Sequence, residues 1–287
     1  MVSNFKALLN KIKHCRFTRK PIMQQAICDT NIWYGIGSGT IIPPKNIELI
    51  ATWANVIELA YSHPKNKIDF SLTQWKEAAS AILNHSNTII ELDPFEFATK
   101  LVFPTYTKFL ERDLRSILKV ISEKTNPLAD SVYIANQKYF DSFMATKDEF
   151  VTKMLEVKDG VRKEFVNDEK FKETFKKNQK DYHRIRATDI LFDINSYLNQ
   201  KNGEIEFDDE EDIEKSLKSI ESNFDFYISV KQRFLHNLSL IKSMTVEPND
   251  FIDLTSLMYV DSETYYWTLE NRWLNIIRES GRGTKLL

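Results

Sequence analysis

Glycine and proline are scarce in this chain, with seven and eight in 287 residues. So few breakers imply long uninterrupted elements, mostly helices, and argue against a loop-rich or all-β fold. Cysteine is scarcer still: Cys15 and Cys28 are the only two. That excludes a disulfide framework and fits a reducing compartment. Cys28 closes the apolar run Ala26-Ile27-Cys28, where a thiol behaves as a small hydrophobe. No apolar run approaches the roughly 20 residues that span a bilayer, so no membrane association is expected. The first residues mix lysine with Phe5, Leu8, Leu9 and Ile12 and lack the continuous apolar segment of a secretory signal. Cytoplasm is the expected location. An excess of one charge is missing too. Lysine and arginine total 39 against 41 acids, a net charge of −2, so bulk electrostatics make no case for nucleic acid.

Charge distribution says more. Lys6, Lys11, Lys13, Arg16, Arg19 and Lys20 come with no acid among them, whereas Glu206 to Glu214 is strongly acidic. The basic start suits either phosphate contacts or the solvated face of an amphipathic helix over residues 4–15. Gln25 to Asp29 reads as a short central strand, Ile47 to Thr52 as a second extended segment, and Trp53 to Tyr61 as a helix. Ser71 is placed to cap a helix from Leu72 to Asn84, with Gln74 at the capping-box position. Thr88 to Leu92 reads as a third strand. The segment Gly35-Ile36-Gly37-Ser38-Gly39 lacks the Lys-Ser/Thr of a phosphate-binding loop and reads as a tight turn.

From about residue 105 to residue 243 strand signals nearly vanish. Thr107–Lys124, Ser131–Lys158, Val161–Lys180, Arg184–Leu198 and Ile213–Ser243 all have helical patterns, and Asn202-Gly203 is a break. The α/β pattern then returns. Asp250 and Asp253 open a helix through Tyr259, as suits acids at a helix N-terminus. Thr264 to Thr268 is a β-branched and aromatic strand, and Arg272 to Glu279 is a helix that Gly281 ends. The fold class is therefore α/β, organised as an N-terminal helix (1–21), a first core segment (22–104), a helical insertion (105–243) and a second core segment (244–287).

The chemistry sits at the ends of these elements. Asp29-Thr30-Asn31 follows the first strand, at the carboxyl end where open α/β sheets bind ligands. Asp250, Asp253, Thr268 and Glu270 lie far along the chain. Acids drawn together without cationic partners repel, and a hard divalent cation is the usual reason for keeping them so. His14, His63, His85, His183 and His236 are scattered without metal-ligand spacing, so zinc is not indicated. All-oxygen ligation suits Mg²⁺ or Mn²⁺. Glu58, beside the apolar stripe of its helix, points either to solvent or into a site.

Four segments in order resemble a PIN-like domain, the fold of many small metal-dependent nucleases. Ala26 to Trp33 (AICDTNIW) resembles the opening strand and its Asp-x-Asn. Ile50 to Ala60 (IATWANVIELA) resembles the second strand and the helix that presents an acid. Asn249 to Val260 (NDFIDLTSLMYV) resembles the Asp-led helix, and Tyr265 to Trp273 (YYWTLENRW) the final strand and its Thr-x-Asp. The likeness covers residues 22–100 and 244–282, under half of the chain. It departs from the family where Glu270 replaces the commoner Asp, and in the long helical insertion. It implies a three-layer α/β/α fold around a small, mostly parallel sheet. It also implies a metal-dependent endoribonuclease in which Asp29, Glu58, Asp253 and Glu270 are the catalytic acids and metal ligands, with Asp250 close by as a further metal ligand or an N-cap, and Asn31 and Thr268 orienting them through hydrogen bonds. RNA is the implied substrate, approached over cations such as Lys6 to Lys20 or Lys172, Lys176, Lys177 and Lys180. A toxin-like role with a small inhibitory protein partner, and pairing with a second copy, are compatible with the resemblance. Two alternatives remain at this stage. One is a non-catalytic scaffold whose insertion is the working surface. The other is an all-helical interaction protein, in which Asp29 and Glu270 would lie far apart.

Overall fold

The computed structural model describes residues 23–61, 72–110, 112–167, 179–200 and 210–287. The N-terminal helix, the cations from Lys6 to Lys20, the cap at Ser71, the Asn202-Gly203 break and the side chains of Lys172, Lys176, Lys177 and Lys180 lie outside the described residues. Cys15 does as well.

β1 (Gln24–Cys28) leads into α1 (Thr30–Gly37), and β2 (Ile47–Thr52) into α2 (Trp53–Tyr61). α3 (Leu72–His85), β3 (Ser86–Ile90) and α4 (Pro94–Val102) follow. Among the described residues the chain then stays helical through α5 (Leu114–Glu123), α6 (Ser131–Asn167), α7 (Gln179–Gln200), α8 (Glu210–Asn223), α9 (Asp225–Leu240) and α10 (Asn249–Ser256). It closes with β4 (Thr264–Trp267) and α11 (Asn271–Glu279). The four strands form one parallel sheet in the order β3-β2-β1-β4. The protein is thus α/β, and the all-helical alternative is set aside. Burial follows rank in the sheet. The carboxyl halves of β1 and β2 are continuously buried, whereas β3 and β4, at the edges, are only partly so. Central parallel strands covered on both faces carry such apolar runs.

Several helix boundaries differ from the sequence pattern, each for a local reason. Residues 107–110 and 112 are not helical, because α5 begins where the Asp113 side chain accepts from the Ser116 N–H and caps it. The stretch from Ile213 to Ser243 is two helices, α8 and α9, that meet at the fully buried Phe224. α6 runs unbroken through Gly160, a residue that costs a helix about 1 kcal/mol without stopping it. Gly35 and Gly37 belong to α1, and the turn comes only at Ser38-Gly39, with Gly39 at φ 75°. Gly37 serves packing: a Cβ there would stand 2.6 Å from the Glu77 carbonyl of α3.

The indoles of Trp33, Trp53, Trp75 and Trp273 anchor the core. Truncating a residue of this kind to alanine costs roughly 3–5 kcal/mol. The helical stretch is tied to the sheet at named points. Lys147 of α6 donates to Asn249 Oδ1 (3.0 Å) at the first residue of α10, and Lys158 donates to the Met244 carbonyl (2.6 Å). Arg162 donates to the Ser239 and Ile241 carbonyls (3.2 and 2.8 Å), at the C-terminal end of α9. A cation belongs there, where helix carbonyls lack partners. Through Lys147 the long helix is fastened to the first turn of α10. No helix among the described residues is long and apolar enough to cross a membrane.

Candidate metal centre

The sheet order puts a switch point beside β1. From β1 the chain moves outward through β2 to β3, whereas β4 pairs on the other side of β1. The crevice at the carboxyl ends of two such strands is where α/β sheets hold ligands. Asp29 and Thr268 sit at those ends, and the Asp29 N–H donates to the Trp267 carbonyl (2.9 Å), which continues the β1–β4 ladder.

Asp29 is the N-cap of α1, with Oδ1 accepting from the Thr30 N–H (2.6 Å). Its other oxygen, Oδ2, accepts from Thr268 Oγ1 (2.7 Å) and Asn31 Nδ2 (2.7 Å). Asn31 and Thr268 therefore fix this carboxylate. Thr268 Oγ1 also accepts from the Glu270 N–H (3.1 Å), which ties the chain after β4 to the same point. Asp253 comes from α10, and its Oδ2 accepts from the Trp273 indole (2.9 Å). Carboxylate oxygens of Asp29, Asp253 and Glu270 lie within 4.8 Å of one another. Asp29 and Asp253 are buried, and Glu270 is exposed, so the cluster has one open side.

Glu58 is half-buried on α2, whose position two sets of bonds determine. Asn55 accepts from the Thr52 N–H (2.8 Å) and donates to the Cys28 carbonyl (3.1 Å) and Thr30 Oγ1 (3.0 Å), so α2 is fastened to β1 and α1. At the far end the Leu59 carbonyl accepts from Trp75 (2.6 Å) and the Ala60 carbonyl from Tyr133. The charge of Glu58 reaches Asp29, Asp253 and Glu270 and raises the pKa of each. Glu58 is thus an electrostatic neighbour of the three-acid cluster rather than one of its closely spaced members.

Asp250 goes elsewhere. Its carboxylate pairs with Arg272 (2.9 Å) and accepts from the Glu247 N–H (2.8 Å), which leaves it outside the three-acid group. Arg272 also donates to the Thr245 carbonyl (2.8 Å) and lies over the Phe234 ring.

The electrostatics are those of anions taken out of water. Burial is the largest cause that pushes Asp29 up to about 7, and Glu58 and Glu270 add to it while Thr268 and Thr30 pull back. Asp253 is held well above the usual carboxylate range by burial and then by Asp29, Glu58 and Glu270. Glu270 is raised by burial and Glu58, against hydrogen bonding from Asn31 and the more distant Arg272. Among the described residues no lysine or arginine forms an ion pair with any of the three. An octahedral Mg²⁺ with ligands at ~2.1 Å sets its oxygens ~3 to ~4.2 Å apart. Three oxygens already within 4.8 Å therefore fit such an ion with small side-chain adjustments.

Two residues near the cluster escape a reading by residue type. Asn55 has no charge to draw attention, although it positions Glu58. Tyr266 looks like an ordinary strand aromatic, yet its hydroxyl is buried without a hydrogen-bond partner. Cys28 is buried and unpaired, and its thiol is pushed up by burial, as an inert core residue should be. Neither a family model, nor a curated protein, nor a solved structure matches this chain.

Proposed function

We propose that this protein is a divalent-metal-dependent endoribonuclease with a PIN-like core. One observation carries the reading: Asp29, Asp253 and Glu270, brought from three distant segments, converge at the sheet's switch point, and no cation among the described residues pairs with them. Asp29, Asp253 and Glu270 would hold Mg²⁺ or Mn²⁺, with Glu58 adding negative charge nearby. When bound, such an ion activates water and neutralises charge on a phosphodiester undergoing in-line attack. The chain's own residues do the rest. Thr268 and Asn31 hold Asp29 in one orientation, Trp273 holds Asp253, and the open side at Glu270 admits the substrate. Without a cation the cluster repels a phosphate anion, so binding of RNA depends on the ion as well. The resemblance of the four sequence segments supplies RNA as the substrate class. The toxin-like role with an inhibitory partner, and a cytoplasmic location, rest on the sequence alone.

The test is cleavage of a mixed RNA pool with Mn²⁺, by wild type and by Asp29→Asn. Asparagine is as good an N-cap as aspartate, so the variant keeps α1. Wild type is expected to cut, to stop on addition of chelator, and to lose activity on the order of a hundredfold or more in the variant, as loss of a charged stabilising group entails. Equal behaviour of both proteins would leave a non-catalytic scaffold as the better description.

A further inference from the structure

Tyr266 stands one pleat below Asp29. Its β4 position pairs in register with Ile27 of β1, and in parallel strands paired residues project to the same face. Two residues on, along that face, come Thr268 and Asp29, which hydrogen-bond to each other. The Tyr266 side chain is 1% exposed and its hydroxyl has no hydrogen-bond partner. An unsatisfied buried hydroxyl is costly and calls for a reason. Burial and the charges of Asp29, Asp253, Glu270 and Glu58 all hold this phenol well above its usual pKa, so it stays a neutral O–H next to anions. Tyr265 is the natural contrast. It points the other way, accepts from Gln24 Nε2 (3.4 Å) and lies beneath Lys285.

We infer that Tyr266 is a positioning residue of the metal centre, whose hydroxyl hydrogen-bonds a water in the hydration shell of an ion held by Asp29, Asp253 and Glu270. The inference rests on the metal-centre reading above and adds a residue to it. An orphan hydroxyl is a loss to the ion-free protein and becomes an asset when an ion brings ordered water. The two states therefore respond to its removal with opposite sign.

The experiment compares wild type, Tyr266→Phe and Tyr265→Phe as full chains, by Tm in chelator and by Mn²⁺ affinity from calorimetry. Tyr266→Phe is expected to melt no lower than wild type in chelator. It is also expected to bind Mn²⁺ more weakly, on the order of tenfold, as loss of an outer-shell partner does. Tyr265→Phe should match wild type in Mn²⁺ affinity. Unchanged Mn²⁺ affinity in Tyr266→Phe overturns the inference, and so does equal weakening in both variants. Wild type that fails to bind Mn²⁺ would sink the metal centre itself, a result distinct from intact binding in wild type and Tyr266→Phe alike.

Discussion

Among the described residues, two knots of acids are treated differently. On one side of α4, Asp93 and Glu96 form a capping box, and Arg112 pairs with both carboxylates. Tyr197 of α7 donates to Glu96 Oε1 (2.7 Å), and the Leu110 N–H donates to the same oxygen. Burial and Glu96 push Asp93 up to about 6, and Arg112 and backbone N–H groups pull it back. This knot is finished as folded, and it fastens the helical stretch to the end of β3. The second knot, Asp29, Asp253 and Glu270, has hydrogen-bond donors but no ion-pair partner among the described residues. Asp250 makes the contrast within one helix. Three residues from Asp253, it has its arginine, whereas Asp253 has only an indole. Identical chemistry in the same interior thus serves architecture where a guanidinium is built in, and leaves a charge deficit where none is.

Arg112 offers the largest expected effect. Arg112→Met leaves two buried carboxylates unpaired and should cost about 3–5 kcal/mol, read from denaturant midpoints. Removing a charge from the other knot should do the reverse. Asp253→Asn keeps an oxygen for the Trp273 indole and eliminates one repelling anion. We expect it to raise stability in chelator by about 1–3 kcal/mol and to erase stabilisation by Mn²⁺. If both substitutions destabilise alike, the distinction between the knots is wrong.

Proton linkage sharpens the same contrast. Asp29 is raised from 3.8 to about 7, so between those values the folded state binds a proton that the unfolded state has released. Its contribution is fully present below pH 3.8 and disappears as pH rises through about 7. Asp253 and Glu270 shift in the same direction and act with the same sign. In chelator, the stability of wild type relative to Asp253→Asn should therefore fall as pH rises through that window, with a slope of up to about 1.4 kcal/mol per pH interval of one for each proton that only the wild-type fold retains. Saturating Mn²⁺ should reverse the slope, because the ion binds the deprotonated acids. A stability difference independent of pH in chelator would show that the acids do not interact.

How far these features could be read from the chain depends on whether their cause is local. β1, β2, α2 and the Asp-led α10 were legible from apolar runs and helix-start acids, since burial on both faces imposes such patterns. Asp29 was legible because it closes a strand. The helix α1 was not, because its two glycines imitate a turn and only the approach to Glu77 reveals their purpose. The break at Phe224 is decided by burial, which periodicity does not report. Asp253 was preferred to Asp250 only through the resemblance; the pairing of Asp250 with Arg272, 22 positions away in sequence and adjacent only after folding, was beyond the pattern. Tyr266 was invisible for the same reason: an orphan hydroxyl is a property of surroundings.

The smallest expected effect concerns Glu270, the exposed member of the cluster. The backbone N–H of Glu270 is tied to Thr268 Oγ1, and its carboxylate reaches Asp29 and Asp253 from an exposed position. Because that attachment fixes where the side chain begins, Glu270→Asp withdraws the carboxylate by about one methylene while leaving the other two acids in place. Mg²⁺ and Mn²⁺ tolerate little change in ligand distance. The substitution should weaken Mn²⁺ binding only severalfold, since one of three carboxylates is displaced rather than removed. It should also lower the pKa of Asp253 slightly, as one like charge retreats. Both changes are measurable, by calorimetry and by the pH dependence of Tm in chelator. Tighter binding in Glu270→Asp would mean that the cluster is shaped for the shorter acid and that the extra methylene loosens the site, which would favour the scaffold over the nuclease.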